Sequence, residues 1–137
     1  MPCIFGFVEI KTIKLDSNPN PLTFALISRK DCRRPGRRFI VRGLDREGNA
    51  ANFVETVHIY IVKQNNAAKN YQVASHVQIR GSIPLQWSMK PNLKWTPPVL
   101  IHPDFEVSLD CARKHIDETY AEYKSQFFVN LIDKKGS

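Results

Sequence analysis

Alternation of apolar and polar residues dominates the first part of the chain. In "IFGFVEIKTIKL" (4–15) Val8, Ile10 and Thr12 share one side, and Glu9 and Lys11 the other, which is the period of a half-buried strand. "DSNPNP" (16–21) is dense in turn formers, and its two prolines argue against a continuing ladder. "LTFALIS" (22–28) reads as a short apolar strand and "RRFIVRGL" (37–44) as another, by its β-branched content. After a turn at "DREGN" (45–49), residues 50–63 form a longer strand. Phe53, Val57, Ile59 and Ile61 lie on one face of it, and Val54, Tyr60 and Val62 on the other. The segment 64–70 is a hairpin loop and 71–82 the returning strand. The sum is an antiparallel meander.

The period changes downstream. Residues 83–98 have no period and contain four prolines and two tryptophans, and they read as an ordered surface loop. From 104 to 125 the residues Leu109, Ala112, Ile116, Tyr120 and Tyr123, with Phe127 just beyond, step by three or four, as on an apolar helical stripe. "FFVNLID" (127–133) reads as a final buried strand. The expected class is α+β or α/β: a largely antiparallel meander, then one helix and a further strand, in one unit or a piece of one.

Charge adds a constraint. The net charge is +7 at pH 7, which points to anionic partners. Between Arg29 and Arg46 eight Arg and Lys residues stand against Asp31 and Asp45, so this stretch carries +6 of the +7. Three cysteines at wide spacing form neither a disulfide framework nor a zinc knuckle, and a reducing compartment suits them. No apolar run approaches the roughly 18 residues of a membrane span, and "MPCIFGFVEI" lacks the features of a signal peptide.

Little chemistry is legible. Cys32 and Arg38 fit the bare Cys-x5-Arg spacing of thiolate phosphatases. That chemistry also needs a loop of free amides with a helix behind it, so that the helix N-terminus holds the anion. Pro35 removes an amide, and "FIVRG" after Arg38 is strand-like. The match is therefore expected to be coincidental. His58, His76, His102 and His115 are scattered without metal-ligand spacing, and there is no Gly-rich phosphate loop. Neither a metal nor a cofactor is expected.

The segments "ALISRKDCRRPGRRFIVRGLDREGNAANFVET" (25–56), "VQIRGSIPLQWSMKPNLKW" (77–95) and "VNLIDKKGS" (129–137) resemble, in order, successive blocks of the Sac-domain phosphoinositide phosphatases. The family more often has Ser-Arg-Arg-Ser where Ser28-Arg29-Lys30-Asp31 stands. It more often has Ala-Gly-Thr-Arg in place of Pro35-Gly36-Arg37-Arg38, and Glu-Thr-Glu-Gln in place of Glu55-Thr56-Val57-His58. Cys32 thus falls in a loop that varies in the family. The resemblance implies an enzyme that removes phosphate from inositol lipid headgroups through a phosphocysteine, without metal, from a Cys-x5-Arg loop downstream of the Asp-Lys-Lys-Gly-Ser block. On this view residues 1–137 are the first part of a catalytic domain and lack its nucleophile. The implied partners are phosphoinositide lipids, an anionic membrane surface and the rest of the parent polypeptide, on the cytoplasmic side of an intracellular membrane (endoplasmic reticulum, Golgi or endosomal). Arg80, Trp87, Lys90, Asn92 and Lys94 are candidates to line the substrate groove, and Arg33, Arg34, Arg37 and Arg38 to face anionic lipid. The rival reading is a non-enzymatic basic module for phospholipid or nucleic acid. No nucleic-acid motif is present, and the aromatics do not alternate with the basics as a stacking platform would.

Overall fold

A computed structural model describes residues 1–16, 18–37, 40–63, 70–92 and 97–132. Residues 64–69 of the expected hairpin loop lie outside this set, as do Arg38, Lys94, Trp95 and the final 133–137. Four strands form one antiparallel sheet in chain order: β1 (Cys3–Leu15), β2 (Asn18–Asp31), β3 (Val54–Lys63) and β4 (Tyr71–Arg80). A ribbon of β5 (Trp87–Met89) and β6 (Val99–Ile101) follows, then helix α1 (Phe105–Tyr123). The α+β class and the meander hold as expected.

Register assigns each side chain to a face. Val8, Ile27, Val57 and Val77 stand abreast, as do Ile10, Ala25, Ile59 and Ser75. This face is apolar. The opposite face carries Phe7, Ser28, Thr56 and Gln78 in one row and Lys30, Val54 and Arg80 in the next. The first face is apolar over these rows and carries Arg29 and Glu55 at its end, and the second mixes hydrogen-bonding groups with Phe5, Phe7, Leu26 and Val54.

Four expectations about strands and loops need correction. The ladder continues past Pro19 and Pro21, because β2 takes a register shift there: Ile13 faces Leu22, while Leu15 faces Asn18. An irregularity of this kind is where proline can sit in a sheet. Residues 37–44 contain no strand among those described. Ile40 and Val41 both donate their N–H to the Arg37 carbonyl, and Gly43 has φ +67°, so turn geometry overrides the β-branched side chains. The proline-rich stretch 83–98 is not all loop, since Trp87, Ser88 and Met89 pair with Ile101, Leu100 and Val99. Residues 127–132 form no strand, and Phe127 (92%) and Leu131 (90%) are almost fully exposed. An apolar hexapeptide becomes a strand only when a neighbouring edge accepts its backbone.

Asp104 caps the start of the helix. The Asp104 side chain accepts from the N–H of Glu106 and Val107. Its buried side is turned from the expected stripe: Ser108, Cys111 and Thr119 are buried, while Leu109 and Tyr120 are exposed. Small side chains let the 45–49 turn lie directly on α1. A Cβ on Gly48 would come within 2.9 Å of the His115 nitrogen, so close packing selects the small-residue face. The core is correspondingly small, with Leu44, Ala50, Phe53 and Cys111 at its centre and Met1, Ile79, Ala112 and Tyr123 against it.

Candidate functional site

Four of the eight cations in the basic segment, Arg29, Arg33, Arg34 and Arg42, are engaged by the fold. Asp31, the last residue of β2, is buried. It receives the Arg33 N–H at 2.8 Å on Oδ1, and Arg33 Nε and Nη2 at 2.9 and 2.6 Å on Oδ2. The same guanidinium reaches Glu118 on α1. Glu55, also buried, accepts from Arg29 and, at 2.6 Å, from the Tyr123 hydroxyl. These two clusters fasten the helix to the end of the sheet. Burial pushes both carboxyls up, but the donors around them outweigh it: Arg33 for Asp31, and Tyr123 and Arg29 for Glu55. Both stay below the ordinary carboxylate range. Tyr123 is pushed up by its burial and by the Glu55 carboxylate. Burial lowers His115, although its Nδ1 donates to the Gly48 carbonyl at 3.0 Å.

The remaining cations divide further. Arg34 Nη2 donates to the Arg42 carbonyl at 2.9 Å, and the Arg42 guanidinium lies 5.4 Å from the centre of the Trp87 ring. Asn52, at φ 55°, ties this loop together: its Oδ1 accepts from the Gly36 N–H and its Nδ2 donates to the Val41 carbonyl. Arg37 and Lys90 are exposed, as is Asn92. Arg38 and Lys94 lie outside the described residues.

Cys32 sits exposed in a bend, its N–H donating to the Pro2 carbonyl at 3.3 Å. The described residues after it form bends and turns, not a helix. Cys3 is exposed on β1, and Cys111 is buried within α1. Among the described residues no three His, Cys, Asp or Glu side chains gather as a metal-holding group, and no helix is long and apolar enough to cross a membrane.

Among the described substrate-groove candidates, Trp87 and Arg80 belong to different sites. Trp87 belongs with Arg42 at the β5–β6 ribbon, its indole N–H donating to Ile83. Arg80 instead ends β4 and lines a groove of about 400 Å³ on the mixed face of the sheet. The Ser28 and Thr56 hydroxyls lie 3.2 Å apart on its floor beside His58 and Gln78, and Phe7 and Leu26 form one wall. His58 also faces His76 across β3 and β4, with ring centres 6.0 Å apart. Sequence reading missed Ser28, Thr56, His58 and Gln78 as a group. The signal was present as polar residues at alternate strand positions (28; 56 and 58; 78 and 80), visible once the register is known.

Comparison with known proteins fits this architecture to a family. Residues 1–137 match the family model described as the SacI homology domain. The chain is 44% identical over 136 residues to Phosphatidylinositol-3-phosphatase SAC1-A of Danio rerio, covering 99% of this chain and 22% of that protein. It is 43% identical over 136 residues to Phosphatidylinositol-3-phosphatase SAC1-B of the same fish, with the same coverage. It is 36% identical over 135 residues to Phosphatidylinositol-3-phosphatase SAC1 of Saccharomyces cerevisiae, covering 98% of this chain and 21% of that protein. The chain thus spans about a fifth of the length of these relatives.

Proposed function

Because the chain belongs to the SacI homology domain family, we propose that it is one segment of a phosphoinositide phosphatase whose cysteine nucleophile lies outside these 137 residues. The whole enzyme hydrolyses phosphate monoesters on inositol lipid headgroups. The observation that carries this reading is the end-to-end match to the family and to relatives bearing a phosphatidylinositol phosphatase name. The positions of the three cysteines support it. A thiolate that attacks phosphorus needs a ring of amides and a helix N-terminus behind it, and neither the bend at Cys32, the strand at Cys3 nor the helix interior at Cys111 offers these.

In this reading the segment supplies framework and lipid contact. Arg37 and Arg38 face the anionic membrane, while Arg33 and Arg34 serve the fold first, since their donors are already engaged with Asp31, Glu118 and the Arg42 carbonyl. Trp87, Lys90 and Asn92 flank the headgroup from the β5–β6 side, and Lys94 contributes charge to it. The partners are phosphoinositide lipids, the cytoplasmic face of an intracellular membrane and the remainder of the polypeptide. The chemistry requires neither cofactor nor nucleic acid.

The test is phosphate release from phosphatidylinositol monophosphate. The 137-residue chain should release no more than a heat-killed control. In a full-length phosphatase carrying this segment, Cys32→Ser should leave the rate within about threefold, whereas loss of a true nucleophile removes several kcal/mol of transition-state stabilisation. A hundredfold loss on Cys32→Ser with lipid binding intact would make Cys32 the nucleophile and overturn the proposal.

A further inference from the structure

We infer that the β5–β6 ribbon and the 37–44 loop beside it form a shallow wedge that seats apolar side chains in an anionic bilayer. The inference rests on the membrane-facing reading of that loop and not on the phosphatase chemistry. β6 is exposed along its whole length, with Val99 at 55% and Ile101 at 65%, and no residue of the ribbon belongs to the core. Pairing sets Trp87 opposite Ile101 and Met89 opposite Val99, so these four side chains share one face, and Ser88 and Leu100 share the other. The loop is tied alongside: Leu44 donates its N–H to the Leu85 carbonyl at 2.8 Å, and Gly43 donates its own to Ser82 Oγ at 2.7 Å. Ile40 stands 54% exposed in that loop. The fold thus gathers at one place apolar groups that its own core does not use.

Charge names the occupant. Residues 37–44 and 81–103 contain no Asp or Glu. Arg37 and Lys90 are exposed there, and the Arg42 guanidinium lies 5.4 Å from the centre of the Trp87 ring. Asp104, the first carboxylate after the ribbon, is committed to the cap of α1. Apolar side chains framed by cations alone match a bilayer whose anionic headgroups lie above hydrocarbon. Trp87 suits that boundary, where tryptophan settles, because its indole N–H is already satisfied by the Ile83 carbonyl at 3.1 Å. The long Arg and Lys side chains can reach back to the headgroup phosphates while the ribbon sinks.

Flotation of the 137-residue chain with phosphatidylcholine vesicles, with and without phosphatidylserine, measures binding with no phosphoinositide present. In a Trp95→Phe background Trp87 is the sole tryptophan, and quenching by brominated phosphatidylcholine reports its depth. Binding to the phosphatidylserine vesicles with quenching of Trp87 is expected. Ile101→Ser should weaken it about tenfold, as withdrawing an aliphatic side chain from hydrocarbon does. Lys90→Gln should weaken it about fivefold, a loss that vanishes at high salt. Val8→Ser, on the sheet at 64% exposure, removes similar apolar surface elsewhere and should leave binding unchanged. Binding without quenching would reduce the contact to adsorption by charge; the membrane-facing reading would stand and the wedge would fall. No binding to either vesicle would overturn both, while the phosphatase reading is decided by phosphate release. An equal loss in Val8→Ser and Ile101→Ser would mark general stickiness and overturn the inference. So would an Ile101→Ser chain that no longer self-associates yet binds vesicles normally, which would assign the ribbon to a second copy of the chain.

Discussion

Removing a single hydroxyl tests how the helix is held. In Tyr123→Phe the ring remains but the 2.6 Å bond to Glu55 is lost. Glu55 is 3% exposed, so water cannot simply replace the donor, and Arg29 remains the main partner. A hydrogen bond to a charged group contributes about 1.5–3 kcal/mol. With Arg29 still in place, a loss of about 2 kcal/mol is expected, or roughly 5–10 °C in melting temperature for a domain of this size. The pH dependence gives a second signature. Glu55 has a folded pKa below its unfolded value, so its contribution is present above the unfolded carboxylate range and lost as pH falls through the folded value. Tyr123 is shifted the other way, upward. Its contribution is complete below the ordinary tyrosine value and declines only as pH rises beyond it. The penalty of Tyr123→Phe should therefore be full at pH 7 and already smaller at pH 3, which lies below the unfolded carboxylate value. Urea unfolding followed by circular dichroism at the two pH values measures both quantities. A loss below about 0.5 kcal/mol, or an equal loss at pH 7 and pH 3, would refute the anchoring role.

Gly43→Ala should destabilise by about 2 kcal/mol or more in the same assay, because φ is +67° and a Cβ would lie 2.6–2.7 Å from the Trp87 and Leu85 carbonyl oxygens; a neutral substitution would show that this loop is free to shift. Asp104→Ala should cost about 1 kcal/mol through the lost N-cap of α1, with Asp104→Asn recovering most of it. The chain should self-associate with rising concentration in sedimentation velocity, because Val8 (64%), Ile10 (65%), Phe127 (92%) and Leu131 (90%) leave broad apolar surface in water. A monodisperse monomer over the whole concentration range would contradict that.

The sequence by itself determined the elements whose signal is local. Alternation placed β1 and β4 within two residues of their observed ends and β3 within four, and the three-and-four apolar spacing located α1. The family was also legible, because "RGLDREGNAANFVET" and "QIRGSIPLQWS" are long and distinctive. Tertiary structure decided the rest. Residues 37–44 carry strand-like side chains, yet Asn52 donates to the Val41 carbonyl and the Leu85 carbonyl accepts from Leu44 N–H, with Gly43 at φ +67° in the bend, and Asn52 and Leu85 lie beyond any local window. The basic run gave no sign that Arg29 and Arg33 would be consumed by Glu55, Asp31 and Glu118, since Glu55 and Glu118 are distant in the chain. The helix buries Ser108, Cys111 and Thr119 in place of its larger apolar residues because the Gly48 turn approaches so closely. The polar groove exists only through register. Ser28, Thr56 and Gln78 become neighbours when three strands pair in one alignment, and a slip of one residue would send each to the opposite face.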